Sequence, residues 1–360
     1  MNKPCRVFVA AKSGGHIIPA LTLAHQYRQE YPGATVLFFS GSSVLDRNLI
    51  SHTEYVQEYL PASNIPKKIF LYPYFLVNIM YSFVRSFIVL QRYKPNSVIS
   101  TGGVISIPIF LAARMLGIPT LLYELNVEPG KAVYYLSYIA HTVFVCFDTT
   151  KKFLPHALCA LTSYPLRQLT IVPITVAREK LSIPQNSRVL FVLGGSQGSR
   201  FINQFIKQWA SNFITSPFDC APDFAKASTD RQDERGEHVH VYKNIFIIHQ
   251  TGRADYAEMK EFYASHAIPA QVFDFIQDIE YYFSASDLII TRAGAGTLFE
   301  IAFFQKKAVI IPLITRATAH QKANAEEMAR LHPALFTIIE QTSLEQAPET
   351  FSITLKNNLC

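Results

Sequence analysis

Glycine is scarce in this chain, 15 of 360 residues, and charge is thin as well, with Asp, Glu, Lys and Arg making up 17% against about 25% in an ordinary globular chain. Five cysteines are scattered without a CxxC pair, which excludes a disulfide scaffold and a cysteine zinc site and suits free thiols in a reducing compartment. No GxxxxGK[ST] run occurs, so a Walker A nucleotide hydrolase is disfavoured, and the dinucleotide fingerprint GxGxxG is missing too. No DxD pair is available to hold a metal-bound diphosphate. A hydrophobic share of 49% excludes global disorder.

The length corresponds to about two domains at roughly 150 residues each. Apolar runs suited to buried parallel strands alternate with helical periodicity, the pattern of βαβ units. Strands are expected at 6–10, 35–39, 97–99, 120–123 and 142–147, and the pattern restarts at 187–193, 244–249, 271–273, 288–290 and 308–312. The expected fold is therefore α/β, two doubly wound domains. Tyr164-Pro165-Leu166-Arg167 reads as the junction, because proline ends regular structure. The polar stretch 216–237 reads as a surface insertion.

Net charge is uneven: residues 1–160 carry +7 and residues 161–360 carry −1. The Lys and Arg residues are dispersed, without the basic stripe and interleaved aromatics of a nucleic-acid surface, so no nucleic-acid partner is expected. An anionic membrane surface fits better. Residues 69–84 carry no charge, are rich in Phe, Tyr, Leu and Ile, and are flanked by Lys67, Lys68, Arg85, Arg92 and Lys94. That run is shorter than the ~20 residues of a span, and Pro73 and Asn78 are expected to interrupt it, so an interfacial segment with Phe75 and Ile79 at the headgroup boundary is expected. The N-terminus leads straight into a strand without a targeting signal.

Nine of the glycines fall in four clusters: Gly14-Gly15, Gly102-Gly103, Gly194-Gly195 with Gly198, and Gly294 with Gly296. Each follows an expected strand and precedes a helix, where backbone N–H groups can meet a phosphate. His16 beside the first cluster suits proton transfer near neutral pH or anion contact, or it merely caps a helix. Glu300, one turn past Gly296, reaches ribose hydroxyls or serves the helix dipole.

At these residues the chain resembles the MurG family, whose members transfer GlcNAc from UDP-GlcNAc to lipid I, giving lipid II for peptidoglycan synthesis, cell shape and division. The resemblance implies a GT-B fold: two Rossmann-like domains facing across a cleft, here 1–163 for acceptor and membrane and 164–340 for UDP-GlcNAc. A segment 341–360 is expected to be helical and to return to the first domain. Ser13-Gly14-Gly15-His16 resembles the first acceptor loop and Thr101-Gly102-Gly103 the second, while Glu124-Leu125-Asn126 lines the acceptor pocket. The resemblance puts Gly195, Ser196, Gln197, Gly198 and Arg167 by the donor diphosphate. It puts Arg292, Gly294, Ala295, Gly296, Thr297 and Glu300 at uridine and ribose, and His320, Gln321 and Asn324 at the donor sugar. Ala11-Lys12-Ser13 stand where the family usually has GGT, and Val104, Tyr164 and Ala319 also depart from the family's usual residues. The implied reaction is inverting, with His16 or Glu124 as base, no obligatory metal or other cofactor, and a peripheral position on the cytoplasmic face of the plasma membrane. Another lipid glycosyltransferase or sugar-nucleotide epimerase of this fold, or a nucleotide-sugar-binding protein without turnover, are the alternatives.

Overall fold

In the computed structural model the described residues are 4–11, 14–61, 66, 68–195, 198–213, 244–315, 318 and 320–359. Ser13, Lys67, Ser196, Gln197 and the expected insertion 216–237 lie outside them. Two compact units are present: Met1–Leu169 with Thr318–Asn324, and Thr170–Ala317 with Ala325–Cys360. The division therefore falls after Leu169 rather than before Tyr164. Tyr164 and Pro165 are buried and stay with the first unit.

The first unit holds seven parallel strands, β1 (Cys5–Val9), β2 (Thr35–Gly41), β3 (Val56–Leu60), β4 (Ser97–Ser100), β5 (Thr120–Glu124), β6 (Thr142–Val145) and β7 (Cys159–Leu161), in the order β3-β2-β1-β4-β5-β6-β7. Its helices are α1 (Gly14–Glu30), α2 (Val44–Ile50), α3 (Tyr72–Tyr93), α4 (Ser106–Met115) and α5 (Lys131–Leu136). Alternation along β1 sends Val7 and Val9 to a core with Val89, Leu90, Ile109 and Phe110 of α3 and α4. Phe8 and Ala10 turn to the opposite face, against Ile17, Ala20 and Tyr27 of α1. Burial on both faces is why these strands read as continuous apolar runs.

Pro73 does not interrupt the apolar segment. It occupies the first turn of α3, where its missing N–H has no partner to lose, and the helix then runs unbroken past Asn78 to Tyr93. Residues Ile69–Tyr93 are long and apolar enough to cross a membrane by length and composition alone. Only Ser82, Ser86, Val89 and Leu90 of α3 are buried. Leu76, Val77 and Met80 are 60%, 65% and 62% exposed, whereas Phe75 and Ile79 are half-buried.

The second unit has six parallel strands, β8 (Arg188–Leu193), β9 (Ile245–Gln250), β10 (Ala270–Phe273), β11 (Leu288–Thr291), β12 (Lys307–Ile310) and β13 (Phe336–Ile338), in the order β10-β9-β8-β11-β12-β13. Its helices are α6 (Ile174–Lys180), α7 (Arg200–Phe213), α8 (Tyr256–Ser265), α9 (Ile279–Ala285), α10 (Ala295–Phe303), α11 (His320–Leu331), α12 (Gln341–Gln346) and α13 (Glu349–Leu359). The start of α11, through Asn324, counts with the first unit.

The terminal segment is helical and belongs to the second unit. Leu344, Phe351, Leu355 and Leu359 enter the second unit's core beside Trp209, Ile206, Leu190 and Val192. Phe351 meets Phe205 and Trp209 edge-on at centroid distances of 5.0 and 5.6 Å, and Trp209 Nε1 donates to Ser352 Oγ at 3.2 Å. Apolar burial on α7 captures α13 locally. Phe351→Ala should therefore destabilise the second unit by about 3–5 kcal/mol; denaturant unfolding followed by Trp209 fluorescence would read this, and an unchanged midpoint would contradict the packing.

Candidate active site

In each unit the strand order reverses direction of winding at one place, between β1 and β4 and between β8 and β11, and ligands of doubly wound sheets bind outside the carboxyl ends of such strands. The register pairs Val9 with Ser100 and Leu193 with Thr291, so each pair ends level. All four glycine clusters follow these four strands.

After β1, α1 opens with Gly14, Gly15 and His16. His16 Nδ1 lies 2.7 Å from Thr101 O, and Thr101 Oγ1 donates to His16 O at 3.0 Å. A carbonyl only accepts, so Nδ1 carries the hydrogen and the neutral ring keeps a lone pair on Nε2. Burial holds the imidazole below its ordinary 6.5, partly opposed by the Thr101 bond and reinforced by His320. After β4, Gly102 has φ of +101°, and a Cβ there would come 2.8 Å from Val133 Cγ2. Its N–H donates to Ser100 Oγ at 2.9 Å, Ser100 Oγ lies 2.6 Å from Ser106 Oγ, and Ser106 Oγ donates to Gly102 O at 3.0 Å. This closed circuit sets the loop that carries Gly103.

Glu124 ends β5, fully enclosed. Its Oε1 accepts from Asn126 N at 2.8 Å and Asn126 Nδ2 at 3.1 Å, and its Oε2 accepts from Gly130 N at 3.2 Å. Burial pushes the carboxyl up to about 7 although these N–H groups pull it down. That value suits a base, but both oxygens are already aimed at their own loop. His16, with Nε2 unspent on the Thr101 contact, is the better placed of the two candidates.

Asn324 also serves this loop: Oδ1 accepts from Val127 N at 2.9 Å, and Nδ2 donates to Asn126 Oδ1 at 3.1 Å. The residue is 0% exposed, so both ends of its amide are engaged with the Asn126–Val127 segment. His320 and Gln321, at the start of the same helix, are half-buried. Burial lowers the His320 pKa and Glu128 opposes it. Arg167 is half-buried in the segment leading to the second unit.

In the second unit, Gly198 lies so close to β9 that a Cβ would meet Thr251 O at 2.0 Å, and its φ is +77°. The adjoining Ser199 Oγ accepts from Arg292 Nε at 2.9 Å. Arg292 also donates through its two terminal nitrogens to Ile311 O at 3.0 Å and Gln341 Oε1 at 3.1 Å. Burial pulls its pKa down to about 10, so it stays charged at neutral pH. Arg292 therefore ties the segment after β8 to those after β12 and at the start of α12. Gly294 caps α10 without a side-chain bond, and Ala295, Gly296 and Thr297 form its first turn, a setting in which unsatisfied N–H groups favour an anion. Glu300, on the second turn, is buried. Among the described residues no group of three or more His, Cys, Asp or Glu side chains could hold a metal.

A polar network beneath this loop was not foreseen from the sequence. Tyr263 OH and His249 Nδ1 are 2.9 Å apart, and His249 Nε2 and Asn203 Oδ1 are 3.0 Å apart. Asn203 Nδ2 donates to Thr251 O and Asp255 Oδ2 at 2.9 and 2.7 Å. Burial drives the His249 pKa down to about 3, so the ring is neutral and each bond has one direction. The signal was a His and a Gln at the end of an otherwise apolar strand. Gly198→Ala should cut UDP affinity about tenfold or more, because the carbonyl cannot yield without breaking this network. Calorimetry with Gly33→Ala as control checks it, since a Cβ at Gly33 meets nothing within 4 Å; equal affinity in both variants would reject the close approach.

Domain-family models match both halves: the glycosyltransferase family 28 N-terminal domain over residues 7–145 and its C-terminal domain over residues 189–355. The UDP-N-acetylglucosamine–N-acetylmuramyl-(pentapeptide) pyrophosphoryl-undecaprenol N-acetylglucosamine transferase of Geotalea daltonii is 30% identical, over 91% of this chain and 82% of its own. The protein of the same name from Trichlorobacter lovleyi is also 30% identical, over 88% and 81%. The crystal structure of Acinetobacter baumannii MurG superposes with a TM-score of 0.68 at 24% identity, over 99% of this chain and 92% of that one. With two level-ended glycine sites on two doubly wound sheets and relatives matching along nearly the whole chain, this protein belongs to the MurG family of glycosyltransferases.

Proposed function

We infer that the chain moves GlcNAc from UDP-GlcNAc to the 4-hydroxyl of the muramyl unit of lipid I, with inversion, making lipid II. The relatives' names supply the substrates, and the neutral His16 with its Nε2 lone pair is the observation that carries the chemistry. The hydroxyl attacks the anomeric carbon as its proton passes to His16 Nε2, and the bond to UDP breaks. Charge growing on the departing diphosphate falls to backbone N–H groups at 195–199 and at the start of α10, with Arg167 as the cation. The scheme uses no metal. Glu124 shapes the acceptor loop, and Glu300 accepts from ribose hydroxyls. Detergent-solubilised protein with radiolabelled UDP-GlcNAc and a lipid I analogue tests the whole reading: label in the lipid supports it, conversion of the donor without acceptor indicates an epimerase, and donor binding alone indicates a non-catalytic protein.

His16→Ala should lower kcat by about 100-fold or more while leaving UDP affinity nearly unchanged. The working form is the unprotonated ring, and its pKa lies below the ordinary value. In the wild type, kcat should therefore rise with pH and reach its plateau before about pH 7. A variant that keeps most of its turnover, or an acid limb centred above neutrality, would remove His16 from the role.

The lipid-linked acceptor supports a peripheral position of the first unit on the cytoplasmic face of the membrane, through the exposed side of α3. Leu76, Val77 and Met80 supply apolar contact, and exposed Lys68, Arg92 and Lys94 supply cations. Arg85 is less available than the sequence implied, because Glu58 pairs with it at 2.9 Å. Reversing Lys68 to Glu should weaken binding to anionic vesicles by roughly 1 kcal/mol or more at low salt and little at high salt. Polar replacement of Val77 and Met80 should weaken it at every salt concentration. Unchanged co-sedimentation of both folded variants would exclude α3 as the contact.

A further inference from the structure

The loop that follows β8 must keep its shape while negative charge builds against it. Gly195 O is the carbonyl that closes its turn, accepting from Gly198 N at 3.1 Å. A second donor reaches the same oxygen: Gln250 Nε2, at 2.9 Å. The other end of that amide, Oε1, accepts from Ile276 N at 3.0 Å. Gln250 is the last residue of β9, the strand between β8 and β10, and is 2% exposed. One buried side chain thus ties the loop after one neighbouring strand to the loop after the other. The position where Gly195 would carry a Cβ has nothing within 4 Å, so the loop is anchored through its carbonyl and open on its Cβ side.

We propose that Gln250 is a positioning residue for the donor: its amide clamps Gly195, where the chain leaves β8, to the 274–276 loop and so sets the diphosphate-binding shape. The proposal rests on the reading that this loop receives the diphosphate of UDP-GlcNAc. Donation at one end and acceptance at the other is what an amide of this length supplies at every pH. A glutamate of the same shape is an acceptor at both ends when ionised and would face the Gly195 carbonyl with no hydrogen between them. Protonated, it regains an O–H that can donate to that carbonyl.

The test is calorimetric binding of UDP, with each variant compared to wild type at the same pH. Gln250→Glu should bind about 10- to 100-fold more weakly near pH 8 and recover most of the loss near pH 5.5, because burial raises a carboxyl above its free value of about 4.3. Gln250→Met fills the same volume without either bond and should be weakened equally at both pH values. Nearby, His249 and Tyr263 stay neutral and Arg292 stays charged across this interval. Asp255 and Asp274 are common to all the proteins, so the same-pH ratio to wild type cancels their effect. A folded Gln250→Glu that binds as wild type at both pH values overturns the proposal, as does a loss in Gln250→Met that depends on pH as strongly as that of Gln250→Glu. If Gln250→Glu fails to fold, undiminished UDP binding by Gln250→Met overturns the proposal and a pH-independent loss supports it. Wild type that does not bind UDP overturns the donor-site reading itself, and the clamp with it.

Discussion

Two neighbouring strands that end level, with chain crossing away from them in opposite directions, leave a crevice no side chain of the sheet fills. That constraint acts once in each unit, at β1 beside β4 and at β8 beside β11. Each loop leaving such a strand must turn at once into a helix while its backbone stays exposed to a ligand. Gly102 and Gly198 meet the demand through left-handed backbone and through approaches that exclude a Cβ. The buried polar residues follow from the same demand. Ser100 and Ser106 brace one loop, and Arg292 and Ser199 brace another.

Several side chains that family likeness would offer to a substrate are thus engaged with the protein itself. Asn324 joins the Asn126–Val127 peptide, Glu124 binds three N–H groups of its own loop, and Arg292 spans three elements. What they do in this structure is hold backbone in place beside the glycine clusters. His16 differs because its single described partner takes only the Nδ1 hydrogen, and the other ring nitrogen keeps its lone pair.

The central strands were legible because both of their faces are buried, which writes an unbroken apolar run into the sequence. The strands overlooked, β3, β7 and β13, are all sheet edges. β3 has only Leu60 buried among its five residues, and β7 and β13 span only three residues each. The expectation that each glycine cluster follows a strand and precedes a helix agrees with the four strand ends at which the clusters lie. What could not be read was the direction of each polar side chain, because a sequence gives residue types and not their partners. The helical terminus was legible too, but its destination was decided by Phe205 and Trp209, more than a hundred residues earlier in the chain. Pro73 misled because a proline in a helix's first turn and one in its middle look alike until the boundary is known.

The exposed apolar side of α3 has a consequence for handling the protein. Leu76, Val77, Met80 and Tyr81 present a surface that water does not cover well. In buffer without lipid or detergent, the most available apolar partner for one copy is the same surface on another. If α3 is the membrane contact proposed above, assemblies counted by ultracentrifugation under such conditions reflect the solvent, and added bilayer would take them apart.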